Sequence, residues 1–151
     1  MKHNSPQTTY LKDYKPPPFL VDKVDLEIEL GEEWSTVKAR LCFRSNPDFK
    51  GKNGTLVLDG QNMKLHEIRL NNLEMNPDQY SLDDSHLTIT NVPNEFELET
   101  EVKIQPQNNT ELEGLYKSGQ IFCTQCESEG FRKITYFVDR PDVMSLFSTK
   151  I

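Results

Sequence analysis

Cys123 and Cys126 stand with Thr124 and Gln125 between them, and two thiols at that spacing can share a metal ion or cycle between dithiol and disulfide. The metal reading needs a second pair of ligands and the redox reading needs a βαβ setting; neither accompanies this unit, and His3, His66 and His86 are scattered. With Cys42 the cysteines number 3, which does not complete a disulfide framework and suits a reducing compartment. The expectation is free thiols with a structural role. Directly after them, Cys126-Glu127-Ser128-Glu129-Gly130 offers two carboxylates. Carboxylates at such positions can bind a cation, although in isolation both read as solvated loop acids.

The elements that must hold this stretch are strands. Val24, Leu26, Ile28 and Leu30 alternate with Lys23, Asp25, Glu27 and Glu29, the period of a half-buried strand. After a turn at Gly31-Glu32-Glu33, Val37, Ala39, Leu41 and Phe43 alternate in the same sense, which predicts a hairpin with coincident apolar faces. The turn formers of 46–54 read as a loop. Thr55 to Asp59 and Met63 to Asn71 read as short strands, and Tyr80-Ser81-Leu82 and Leu87-Thr88-Ile89-Thr90 bracket a turn at Asp83-Asp84-Ser85. The clearest strand sets Phe96, Leu98, Thr100, Val102 and Ile104 against Glu95, Glu97, Glu99, Glu101 and Lys103, with the acidic face toward solvent and Pro106 as its end. Short strands at this spacing indicate an all-β fold, an antiparallel β-sandwich or curved open sheet. At most a short helical turn is expected near the C-terminal end, where Asp139-Arg140-Pro141-Asp142 precedes Val143, Met144, Leu146 and Phe147. Residues 1–18, polar and then locked by Pro16-Pro17-Pro18, read as an extended arm, and 19–151 as one β-domain.

Bulk properties narrow the partners. A chain of 151 residues suits one domain. A hydrophobic share of 35% with 27% charged residues implies a wet surface. No run approaches the ~20 apolar residues of a membrane span, and the first residues lack the apolar stretch of a secretory signal, so a cytoplasmic location is expected. A net charge of −7 disfavours nucleic acid, whose phosphates call for clustered Lys and Arg.

Alternating strands alone fit an adhesion domain, a carbohydrate module or an accessory domain of an enzyme. Three stretches go further: Glu113-Gly114-Leu115-Tyr116-Lys117-Ser118-Gly119; Cys123-Thr124-Gln125-Cys126-Glu127-Ser128-Glu129-Gly130-Phe131-Arg132; and Ile134-Thr135-Tyr136-Phe137-Val138-Asp139-Arg140-Pro141-Asp142-Val143. In this order they resemble the amino-terminal β-domain of the bacterial aminopeptidase N family, and a looser likeness reaches back through the first hairpin to Tyr14. The resemblance implies a zinc exopeptidase that removes single residues, often alanine or basic ones, from the free amino end of peptides. It places the zinc-binding HExxH helix and the GAMEN loop in a downstream catalytic domain of the same chain. Here His66-Glu67 is followed by Ile68-Arg69-Leu70, so the second histidine is missing. No catalytic or metal residue is expected in this stretch, which should be silent by itself. The β-domain is expected to continue past Ile151, so this piece would end before its last strands.

By the same resemblance, Gln125 and Glu127 belong to a loop that reaches the active site. A peptide α-amine, with pKa ≈ 7.7–8.0, is largely cationic at neutral pH, and a carboxylate beside it would select free amino ends. Gln125, able to donate and accept, would line the first side-chain pocket. Glu129 is read as structural. Phe131, Tyr136 and Phe137 are read as core or interface aromatics, and Arg132, Asp139 and Arg140 as ion pairs fastening the loop or as exposed charges. The alternative is a non-catalytic β-sandwich module that binds a peptide or sugar. A sheet that normally packs on later domains would leave an unpaired edge and apolar surface, so self-association is expected.

Overall fold

The computed structural model describes residues 10–51 and 54–151; the first part of the expected arm and two residues of the loop 46–54 lie outside the described residues. The described residues form eleven strands. They are β1 (Phe19–Glu29), β2 (Ser35–Ser45), β3 (Thr55–Asp59), β4 (Lys64–Leu70), β5 (Leu73–Glu74), β6 (Tyr80–Leu82), β7 (His86–Thr90), β8 (Glu95–Ile104), β9 (Gly114–Ser118), β10 (Ile121–Gln125) and β11 (Leu146–Lys150). A six-stranded sheet runs β11-β1-β2-β8-β4-β5, a three-stranded sheet runs β3-β7-β6, and β9 and β10 pair as a separate hairpin.

The hydrophobic alternation sets this arrangement. In β1 and β2, Val24 faces Leu41 and Leu26 faces Ala39 in antiparallel register, and the apolar face of each strand is buried. The β8 residues Phe96, Leu98, Thr100, Val102 and Ile104 continue that face, and Leu56, Leu58, Leu87 and Ile89 from the small sheet close over it. At one end of the large sheet Phe96 of β8 is stacked on Phe43 of β2 with centroids 4.9 Å apart and is edge-on to Phe19 of β1 at 5.5 Å. Such pairs add about 0.5–1.5 kcal/mol beyond their buried area. The result is an all-β, sandwich-like fold.

Three details depart from the expectation. Glu97, Glu99 and Glu101 of β8 are half-covered, with Arg40 and Lys38 opposite Glu99 and Glu101; the Arg40 guanidinium donates to Glu99 at 2.8 Å and lies 3.5 Å from Glu97. Cross-strand charge pairs of this kind stabilise modestly, by roughly 0.2–1 kcal/mol each. The segment 139–142 closes a single turn, with the Val143 amide donating to the Arg140 carbonyl at 3.1 Å; the helical turns lie instead at Leu11–Asp13, Pro106–Asn108 and Phe131–Lys133. The arm is folded onto the domain where it is described. The Tyr14 hydroxyl donates to Asp142 at 2.8 Å and Arg140 donates to the Lys15 carbonyl at 2.9 Å.

Candidate functional site

The β9/β10 hairpin carries the stretch of interest. Its two-residue turn, Gly119-Gln120, has Gly119 at φ +60°, a left-handed conformation that glycine adopts without a Cβ clash. Gln125 ends β10 and is exposed, as is Glu127 two residues on. The chain folds back directly after them: the Gly130 amide donates to the Cys126 carbonyl at 2.8 Å, and the Gln125 side-chain amide donates to the Glu127 carbonyl at 3.3 Å. Gly130 is required by this closeness, since a Cβ there would lie 2.6 Å from the Gln125 carbonyl oxygen. Gln125 and Glu127 therefore stand together on one tight, solvent-facing loop.

Two adjacent basic residues fix the foot of the loop. Lys133 is buried and its ammonium contacts both Glu111 and Glu113, the latter at 2.6 Å. Leu112 adopts a left-handed conformation, φ +60°, and Gly114 another at +71°; with the chain reversed there, both flanking glutamates reach the same cation. A Cβ on Gly114 would meet that of Lys133 at 2.6 Å. Burial works against the Lys133 cation, but the hydrogen bonds it donates to Glu111 and Glu113 outweigh that and raise its pKa. The same bond holds the Glu113 carboxyl below its ordinary range.

Arg132 ties the other side. Its Nε and its backbone amide both donate to the Asp139 carboxylate, at 2.9 and 3.0 Å, and its Nη2 donates to the Asp139 carbonyl at 2.9 Å. Asp59 at the end of β3 lies 3.6 Å away and Glu129 3.4 Å away. Asp59 and Phe137 exchange backbone hydrogen bonds, and the Gln61 amide donates to the Arg132 carbonyl at 2.9 Å. Phe131 packs edge-on against Phe137 and Phe147, with centroids 5.0 and 5.6 Å apart, joining the foot of the loop to β11.

The sequence reading placed Gln125 and Glu127 on a loop, and the structure brings them together. It did not single out the β9/β10 hairpin, although Gly119 at the turn and the alternation around it signal one. Nor did it anticipate Asp59 or the Lys133 clamp, whose partners are remote in sequence. Cys123 and Cys126 are half-buried, and burial raises the Cys126 thiol pKa, which works against both thiolate ligation and redox attack. His66 sits near Glu101 and His86 near Asp83, on different sheets, and no group of three metal-binding side chains occurs among the described residues. These donors do not fit a zinc site. A cleft of about 810 Å³ lined by Trp34, Asp83, Asn108, Lys133 and Tyr136 adjoins the clamp without including Gln125 or Glu127. Several of its polar groups are already engaged, with the Lys64 ammonium 4.6 Å from the Trp34 ring and Asp83 accepting from Ser85 and His86.

Comparison with known proteins gives this arrangement a context. The family model for the Peptidase M1 N-terminal domain matches residues 20–151. Aminopeptidase N of Caulobacter vibrioides is 44% identical over 151 residues, covering 100% of this chain and 17% of that protein. Aminopeptidase N of Escherichia coli is 38% identical over 146 residues, covering 97% of this chain and 16% of that protein. The chain thus spans about a sixth of the length of these relatives. Among solved structures, Legionella pneumophila aminopeptidase A in complex with aspartic acid superposes with a TM-score of 0.85 at 34% identity, covering 93% of this chain and 17% of that one. An M1 zinc metallopeptidase from Deinococcus radiodurans shares the fold, with a TM-score of 0.72 at 15% identity, over 89% of this chain and 32% of that one. The family model's match over residues 20–151, with a relative 44% identical over 151 residues, shows that this protein belongs to the Peptidase M1 N-terminal domain family.

Proposed function

We propose that this domain works within a zinc aminopeptidase whose metal site lies in a downstream region of the same chain, and that its part is to bind the amino end of the peptide substrate. The observation that carries this reading is the pairing of Gln125 and Glu127 on an exposed loop whose foot is clamped by Arg132 and Lys133. Glu127 would accept hydrogen bonds from the cationic α-amine, and Gln125 would meet the first side chain. The membership in an M1 family and the aminopeptidase relatives support the reaction class.

The test is hydrolysis of an alanyl anilide. The chain extended through its downstream coding sequence is expected to cleave it in a zinc-dependent manner, and the 151-residue domain alone is expected to be silent. Chelator-resistant hydrolysis that tracks the concentration of the domain alone would remove the reading.

The same proposal explains the β11 edge. Leu146 and Phe147 are 70% and 47% exposed, and β11 pairs with β1 on one side only. Unpaired backbone groups beside apolar side chains form a template for another chain. In the parent protein the downstream region would cover this edge; the isolated domain is expected to self-associate with rising concentration, and Leu146→Lys, which spares the Phe147 packing, is expected to reduce that. Light scattering that shows a monomer at every concentration would contradict it.

A further inference from the structure

Resting on the reading of Glu127 as the amine anchor, we propose that Arg132 is a positioning residue for that anchor, setting where the carboxylate stands relative to the rest of the domain. The loop from Cys126 to Gly130 closes on itself with one backbone hydrogen bond and one from Gln125, so those contacts fix its shape and leave its direction open. Direction comes from its foot. The Arg132 guanidinium reaches back to Glu129, within the loop, at 3.4 Å and forward to Asp59 on β3 at 3.6 Å, while its Nε and Nη2 grip Asp139. Asp139 in turn receives no freedom of its own, since it is buried and its amide donates to Asp59 at 3.2 Å. One planar fork therefore links the loop, the returning chain and the edge of the small sheet. An ammonium lacks that fork and can satisfy fewer of these acceptors at once.

Without the guanidinium, the buried Asp139 carboxylate loses its ion-pair partner and Asp59 loses one of its neighbouring cations. The loop foot is then expected to shift, carrying Glu127 with it. A displacement of about 1 Å at a binding group can lower turnover efficiency by as much as a hundredfold. The shift would act on recognition of the amine, while the downstream chemistry keeps its own residues.

The experiment is a double-mutant cycle in the chain extended through its downstream coding sequence, with Arg132→Ala, Glu127→Ala and both together, read as kcat and KM for an alanyl anilide. Arg132→Ala is expected to raise KM about tenfold with a smaller change in kcat, and Arg132→Lys is expected to recover part of the loss. In the Glu127→Ala background, Arg132→Ala should add little, because the group it positions is gone. A merely structural role would instead lower the active fraction and kcat while leaving KM unchanged. Should Arg132→Ala fail to fold, Asp59→Asn keeps the Arg132 to Asp139 grip and is expected to produce a smaller KM rise in the same direction. Additive effects, or an unchanged KM in both Arg132→Ala and Asp59→Asn with Glu127→Ala still impaired, would overturn the positioning role and leave the anchor standing. A Glu127→Ala enzyme with wild-type KM and kcat would overturn the anchor and this proposal with it.

Discussion

Replacing Leu98 by alanine is expected to cost about 3–5 kcal/mol of folding stability, the upper range for truncating a buried leucine. Leu98 is 0% exposed, opposite Leu41 of β2 on one side and Leu70 of β4 on the other. Its neighbours belong to strands hydrogen-bonded along their length, so they cannot relax into the gap. The lost methyl groups therefore leave a cavity as well as a smaller buried surface. Because a domain of this size has a total stability of only ~5–15 kcal/mol, one such change removes a large part of it. A urea titration at low protein concentration should show a lower midpoint at an unchanged slope. Leu73→Ala, at a residue 73% exposed on the short edge strand β5, should shift stability by no more than about 0.5 kcal/mol. Equal effects from the two would contradict the core assignment.

The second large effect concerns chemistry. Glu127→Ala in the extended chain is expected to lower kcat/KM for an alanyl anilide by roughly ten- to a hundredfold, the equivalent of about 1.5–3 kcal/mol for a hydrogen bond to a charged group. Glu127 is exposed and has no side-chain ion pair within the domain among the described residues, so its removal leaves the fold's own contacts intact and the loss would report on substrate. Glu127→Gln keeps an acceptor but not the charge, and should fall between wild type and alanine. Gln125→Ala, which removes neutral hydrogen bonds of about 0.5–1.5 kcal/mol, should cost two- to tenfold. Urea midpoints of the two Glu127 variants should match wild type.

Three strands of the large sheet were legible because β2 and β8 alternate along their whole length and β1 does so from Val24 on, after a bulge between Val21 and Lys23, and such an alternating strand buries one face. β11 was not legible as a partner of β1. Its five residues are all exposed, so burial imprints no alternation on them, and its parallel pairing joins segments more than a hundred residues apart, as Lys150 reaching Glu27 shows. The site divides in the same way. Gln125 and Glu127 have no local pattern that separates them from ordinary loop polar residues; the resemblance singled them out. Lys133 with Glu111 and Glu113 lies across 22 and 20 residues, and no spacing rule of helix or strand connects such positions. Their contact arises only once Leu112 and Gly114 reverse the chain. What the residues alone conveyed was the scaffold; which side chains the scaffold brings together was a product of tertiary closure.

The most direct test of the central claim compares two competitive inhibitors of the extended chain, one bearing a free α-amine and one its des-amino analogue, in wild type and Glu127→Ala. If the loop anchors the amine, wild type should prefer the amine-bearing inhibitor, and Glu127→Ala should shrink that preference by at least about tenfold, or 1.4 kcal/mol, while binding the des-amino compound nearly as before. An inhibitor preference unchanged by Glu127→Ala, in an enzyme that remains zinc-dependent and folded, would contradict the claim that this domain reads the amino end of the substrate.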